Sequence, residues 1–263
     1  PFKKTAWAET ITENLLYFLW DLGLKIGHAT RNINECISLS LQDQTITTSL
    51  LDARFICGDD EVATVFKKNF RESISKRSSN DFIKIKLEER ESRHIKEGQS
   101  RYLVEPNIKN SKGGLRDLES LSWMTNFCYD ASRPSQMIQK NILSNDEAAS
   151  FRKCENFLWH VRCQLHFIEK SSNDIINFNT QVNMAEKLGY LERKGLKPVE
   201  RFMKHYFLVA KEVGDLTRSV CYVLEEKHRV RFAPISLFRK FLELPSKLIS
   251  SGSGVGFLVT KGR

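Results

Sequence analysis

The chain has 263 residues, 41% of them hydrophobic and 28% charged, enough for one large or two modest soluble domains. No apolar run approaches the ~18 residues of a membrane span, and no signal peptide opens the chain, so a cytoplasmic protein without membrane contact is expected. The net charge of +9 suits nucleic acid, nucleotide phosphates or an acidic partner; without a nucleic-acid motif or interleaved aromatics, nucleic acid is not the expected partner.

In chain order, Thr10 and Glu13 fit a capping box. The helix they open would carry Ile11, Leu15, Phe18 and Leu22 on one face, with Gly23 as its stop. Leu24, Ile26, His28 and Thr30 then alternate with Lys25, Gly27, Ala29 and Arg31, which predicts a strand. Asn32 caps a second helix with Glu35 three residues on, and the β-branched run Thr45–Thr48 predicts one more short strand, with Asp43 just before it. This opening reads as α/β.

Beyond it the pattern turns helical. The mixed charges of 67–101 suit exposed helix faces. A helix is expected from about Gly114, burying Leu115, Leu118, Leu121 and Met124. Ser144 and Glu147 form another capping box, followed by Phe151, Cys154, Leu158, Val161, Leu165 and Ile168 at steps of three and four. Pro198 opens a matching stripe from Val199 to Val223. These stripes predict long helices in a bundle. After Pro234 the periodicity is lost, and Ser250–Gly254 reads as a linker. Both ends of the chain read as cut. The six cysteines show no zinc or CxxC spacing and are expected as free, mostly core thiols.

The most distinctive text runs from Glu105 to Asp117, EPNIKNSKGGLRD. Paired glycines at Gly113 and Gly114 allow backbone amides close to a ligand, and a helix N-terminus follows them. Lys109, Lys112 and Arg116 add cationic donors suited to nucleotide phosphate. The competing reading is a tight turn into a helix, with Arg116 and Asp117 in structural ion pairs. Arg93, His94 and Arg101 extend the same basic surface. There is no HExxH, Walker loop, His-Asp dipeptide or DxD pair, so no paired carboxylates are at hand for two-metal nucleotidyl transfer.

The stretch LWDLGLKIGHATR at 19–31 resembles the PII uridylyltransferase family. The resemblance continues through DQTITTSLLDARFICGD (43–59), Arg93-His94, EPNIKNSKGGLRDLE, FLWHVRCQLHF (157–167), MAEKLGY and VERFMKHYF. Several ordered motifs over about residues 15–215 make it far more specific than any one alone. The glutamine synthetase adenylyltransferases share the glycine-arginine motif but lack the first stretch.

That family implies a DNA polymerase β-like nucleotidyltransferase domain, a helical domain, an HD hydrolase domain and glutamine-sensing ACT domains. It also implies UMP transfer from UTP to a tyrosine of PII with magnesium. On that layout the chain is mainly α with a small α/β N-terminal part: the end of a nucleotidyltransferase domain (1–57), the helical domain (58–233) and a linker into the next region (234–263). The paired magnesium ligands and the ACT domains would lie outside it, leaving the piece inactive alone. Asp43 is the candidate third carboxylate. With the cationic turn and the same resemblance taken together, the nucleotide-binding candidates are His28, Arg31, Lys109, Lys112, Gly113, Gly114, Arg116 and Asp117. The alternative is a helical docking or regulatory module that binds PII without chemistry of its own.

Overall fold

A computed structural model describes residues 6–228. The region expected as a linker, 234–263, lies outside the described residues. The helices in chain order are α1 (Ala6–Asp21), α2 (Ile33–Gln42), α3 (Gln44–Leu51), α4 (Asp60–Ser75), α5 (Ser79–Lys96), α6 (Leu115–Tyr129), α7 (Pro134–Gln139), α8 (Asn145–Glu169), α9 (Phe178–Lys187) and α10 (Pro198–His228). The mainly helical class is thus met. None of these helices is long and apolar enough to cross a membrane.

The α/β opening is corrected. Among the described residues β pairing is confined to two isolated bridges, Asn107–Ile175 and Arg193–Leu196. Residues 24–32 are irregular, since no neighbouring strand supplies the hydrogen bonds that an extended segment needs. Thr45–Thr48 lies inside α3, where local hydrogen bonding overrides its β-branched composition. The Asp43 side chain caps the helix, accepting from Thr45 N at 2.6 Å and Ile46 N at 3.4 Å. Thr47 and Thr48 donate back to carbonyls of their own turn, Thr47 to Asp43 O at 3.1 Å and Thr48 to Thr45 O at 2.9 Å, and Thr47 also reaches Ser40 O of α2 at 2.5 Å. Asp43 is therefore a helix cap, not a strand neighbour. The Thr10 capping box is also absent: α1 is already helical from Ala6, and the Thr10 hydroxyl donates to Ala6 O at 2.9 Å.

The long stripes pack as their spacing predicts. Asn32 with Glu35 and Ser144 with Glu147 form complete capping boxes. One core joins α6, α8, α9 and α10. Leu115, Leu118, Leu121 and Met124 meet Phe151, Leu158, Val161 and Leu165, and Phe202, Tyr206, Val213 and Val220 close it from α10. A smaller cluster ties the earlier helices to this bundle: Leu51 of α3 packs with Phe70, Ile74, Phe82 and Phe127. The expected boundary at 57/58 falls in the bend between α3 and α4, yet α3 packs on α6 across it. The cysteines are free, with Cys154 and Cys221 buried but Cys57 and Cys163 exposed.

Candidate functional site

The expected exposure of α5's charges is the second correction, and it builds the site. Lys86, Arg90 and His94 are 4%, 8% and 2% exposed, one turn apart on the helix face turned toward α6. Such burial demands a counter-charge, because an unpaired ion in a low-dielectric interior is heavily penalised. The counter-charge for two of them is Asp117, on the first turn of α6. Its carboxylate, 1% exposed, lies 2.5 Å from Arg93 Nη2 and 2.9 Å from His94 Nε2 through Oδ1. Arg90 Nε stands 3.4 Å from the same oxygen. Oδ2 accepts the Gly113 N–H at 2.8 Å. Burial alone would raise this carboxyl's pKa; the His94 hydrogen bond and the charges of Arg90, His94 and Arg93 outweigh it and hold the group well below the usual carboxylate range.

Asp117 thereby locks the turn that precedes it. Gly113 adopts φ +87°, a left-handed conformation, and a Cβ there would fall 2.7 Å from Ala210 Cα on α10. At Gly114 a Cβ would meet Ile108 O at 2.7 Å. Both glycines are therefore required by close backbone packing. Their amides are committed inside the protein, Gly113 N to Asp117 and Gly114 N to Ser111 O at 2.8 Å. The next amides donate to loop carbonyls as well, Leu115 N to Ile108 O at 3.1 Å and Arg116 N to Lys109 O at 2.9 Å. The start of α6 is thus capped by its own loop, and the amides expected to face a ligand do not do so. Any anion met here is met by side chains.

Those side chains are Lys109, Lys112 and Arg116, all half-buried, whereas Gly113, Gly114 and Asp117 are buried. Arg116 pairs with Glu119 at 2.9 Å and lies over the Trp123 ring, 5.4 Å from its centroid. Lys86 Nζ stands 5.7 Å from the same ring, and Trp123 Nε1 donates to Asp52 Oδ2 at 2.6 Å. Lys112 sits close to Arg101 and Arg90; burial first, then the Arg101 charge, lowers its pKa. Asp43 is exposed at the head of α3, and its carboxyl pKa is lowered, chiefly by the Thr45 N–H and slightly by the charge of Lys86. His28 and Arg31 are exposed on the irregular segment, neighbours of Trp20 and Cys36 rather than of the 109–117 turn.

Arg90 belongs to this site although its place in the mixed-charge run of 67–101 suits an exposed helix face. Lys86, Arg90 and His94 recur every four residues, a cationic stripe at helical period inside a mixed-charge run, and that period was the available signal. Among the described residues, no group of three or more His, Cys, Asp or Glu could hold a metal ion. Asp43 and Asp52 are engaged in a helix cap and an indole hydrogen bond, so magnesium has no fitting ligand set in them.

A family model described as GlnD PII-uridylyltransferase matches residues 81–221, the segment that contains α5, the 109–117 turn and most of the bundle. A bifunctional uridylyltransferase/uridylyl-removing enzyme of Rhodopseudomonas palustris (strain ATCC BAA-98 / CGA009) is 46% identical over 227 residues. That match covers 86% of this chain and 24% of the relative, so the chain spans about a quarter of that enzyme's length. No solved structure matches. With a family match over more than half its length, the chain belongs to the GlnD PII-uridylyltransferase family.

Proposed function

We propose that this chain forms the helical wall of an enzyme that transfers UMP from UTP to a tyrosine of the PII nitrogen-signalling protein. In that reaction the phenol oxygen attacks the α-phosphorus and pyrophosphate leaves, so negative charge must be held on the triphosphate and on the departing group. The observation that carries the reading is the Asp117 hub. One buried carboxylate fixes Arg90, Arg93, His94 and the Gly113 amide, and so holds the neighbouring Lys112 and Arg116 on a rigid turn. Positioned cations of this kind are what triphosphate recognition needs. Lys109, Lys112 and Arg116 would touch phosphate; Gly113, Gly114 and Asp117 would position them. Asp43 reaches the same wall only through Lys86, and His28 and Arg31 would serve from the irregular segment. No step is assigned to magnesium on this chain's residues. The nucleotidyltransferase fold that the resemblance implies for the N-terminal part remains part of this proposal.

The test is UTP binding to this chain by calorimetry, wild type against Arg116→Ala. The Ala variant should bind about tenfold more weakly, the worth of one charged hydrogen bond. Equal affinity in a folded variant contradicts the role given to Arg116.

A further inference from the structure

Asp52 has no part in the 109–117 turn, yet it stands in the 43–59 stretch that carries much of the family resemblance. It is the C-cap of α3, and its N–H donates to Thr48 O at 3.2 Å. The end of that helix is firmly held. Leu51 O accepts from Asn126 Nδ2 at 3.1 Å, and the Leu51 side chain packs with Phe70, Ile74, Phe82 and Phe127. Asn126 itself is 3% exposed on α6, and Arg71 of α4 donates to its main-chain and side-chain oxygens. The Asp52 carboxylate thus rests on a support that α3, α4 and α6 share.

One turn before Asn126, Trp123 meets that carboxylate, its Nε1 donating to Asp52 Oδ2 at 2.6 Å. The indole needs such a hold. Tryptophan χ2 is a broad torsion, and this ring is only half-buried. Helical side chains lean toward the N-terminus, so Trp123 covers the turns before it, and Arg116 lies two turns back on the same face. The Arg116 guanidinium carbon is 5.4 Å from the ring centroid, within cation–π range. Seating on a ring face restrains a guanidinium while its N–H edges stay able to donate. One of those edges is turned to Glu119, 2.9 Å from Nη1.

We infer that Asp52 is a positioning residue for Arg116, acting through the Trp123 indole. The N-terminal helices thereby set the orientation of a cation on the bundle. This orientation stands on the geometry of α3 and α6; its consequence for UTP rests on the function proposed above. Removing the carboxylate frees the indole to turn, and Arg116 loses the ring face beneath it. Asparagine at position 52 keeps an acceptor oxygen for the indole N–H and preserves the arrangement.

The experiment follows the Arg116 Nε–H in proton–nitrogen NMR spectra of this chain, assigned by its disappearance in Arg116→Ala. The ring current of Trp123 displaces that resonance. Asp52→Ala should move it toward the position of a solvated arginine, while Asp52→Asn should leave it near wild type. Asp52 is exposed, so both variants should fold. UTP titration by calorimetry supplies the second readout. Asp52→Ala should bind UTP about fivefold more weakly, the worth of one hydrogen bond, and that loss should vanish in an Arg116→Ala background. A resonance that moves in a chain that binds no UTP, or binds it without regard to Arg116, supports the positioning and rejects the nucleotide reading. UTP binding that depends on Arg116, with the resonance unmoved in Asp52→Ala, overturns the positioning and leaves that reading standing. Equal losses from Asp52→Ala with and without Arg116 reduce Asp52 to a clasp between helices and overturn it too.

Discussion

The first and last of the described helices carry similar sequence signals and meet different fates. Both α1 and α10 show apolar residues at helical spacing, yet α10 buries Phe202, Tyr206, Val213 and Val220, while Ile11, Leu15 and Phe18 of α1 stand 46–62% exposed. In α1 only Leu16 is buried. Periodicity therefore identifies a face of a helix but not whether a partner covers it. The bundle can be checked as a core, and α1 as a helix whose stripe contributes little to the stability of this chain.

The contrast is broken most severely at the hub. Asp117→Ala would leave Arg90 and Arg93 buried without their counter-charge and should cost about 3–5 kcal/mol in urea unfolding. A loss below 1 kcal/mol would deny the hub its role. The same group sets an acid limit. Its folded pKa lies below the unfolded value of about 3.9, so its contribution is complete above that value and is lost as the pH falls through the folded pKa. Stability followed by circular dichroism should therefore fall from about pH 4 downward, and Asp117→Asn should flatten that fall.

Next in size is Leu158→Ala on α8, which opens a cavity at a fully buried position and should cost about 2–5 kcal/mol. Gly113→Ala adds left-handed strain of about 1–2 kcal/mol and an overlap with the Ala210 backbone of about 1–3 kcal/mol, a comparable loss. Smallest is Phe18→Ala on α1, expected within about 0.5 kcal/mol of wild type because the ring is already 62% exposed. Equal losses for Leu158→Ala and Phe18→Ala would erase the distinction between the two regions.

What the sequence made legible follows the same division. Capping boxes at Asn32 and Ser144, Pro198 at a helix start and the stripes of α6, α8 and α10 are local rules, and the structure obeys them. The strands failed because a strand depends on a neighbour that sequence spacing does not reveal. At 45–48 a capping aspartate and the Thr47 bond to Ser40 of α2 hold β-branched residues in a helix. Within the distinctive 105–117 stretch the parts divide their duties. The glycines serve packing and Asp117 serves the interior, while Lys109, Lys112 and Arg116 are half-buried. Burial of Arg90 and His94 was hidden because a charged helix face reads as solvated unless its partner carboxylate, on another helix, is known.

The central claim is that this wall serves uridylyl transfer, and a chimera tests it most directly. This chain's matching residues would replace the aligned 227-residue segment of the Rhodopseudomonas palustris enzyme, and UMP transfer to PII would be measured against UTP concentration. The account predicts an active chimera whose KM for UTP rises about tenfold with Arg116→Ala. A folded chimera that transfers no UMP, or one whose KM and kcat ignore Arg116, would contradict it.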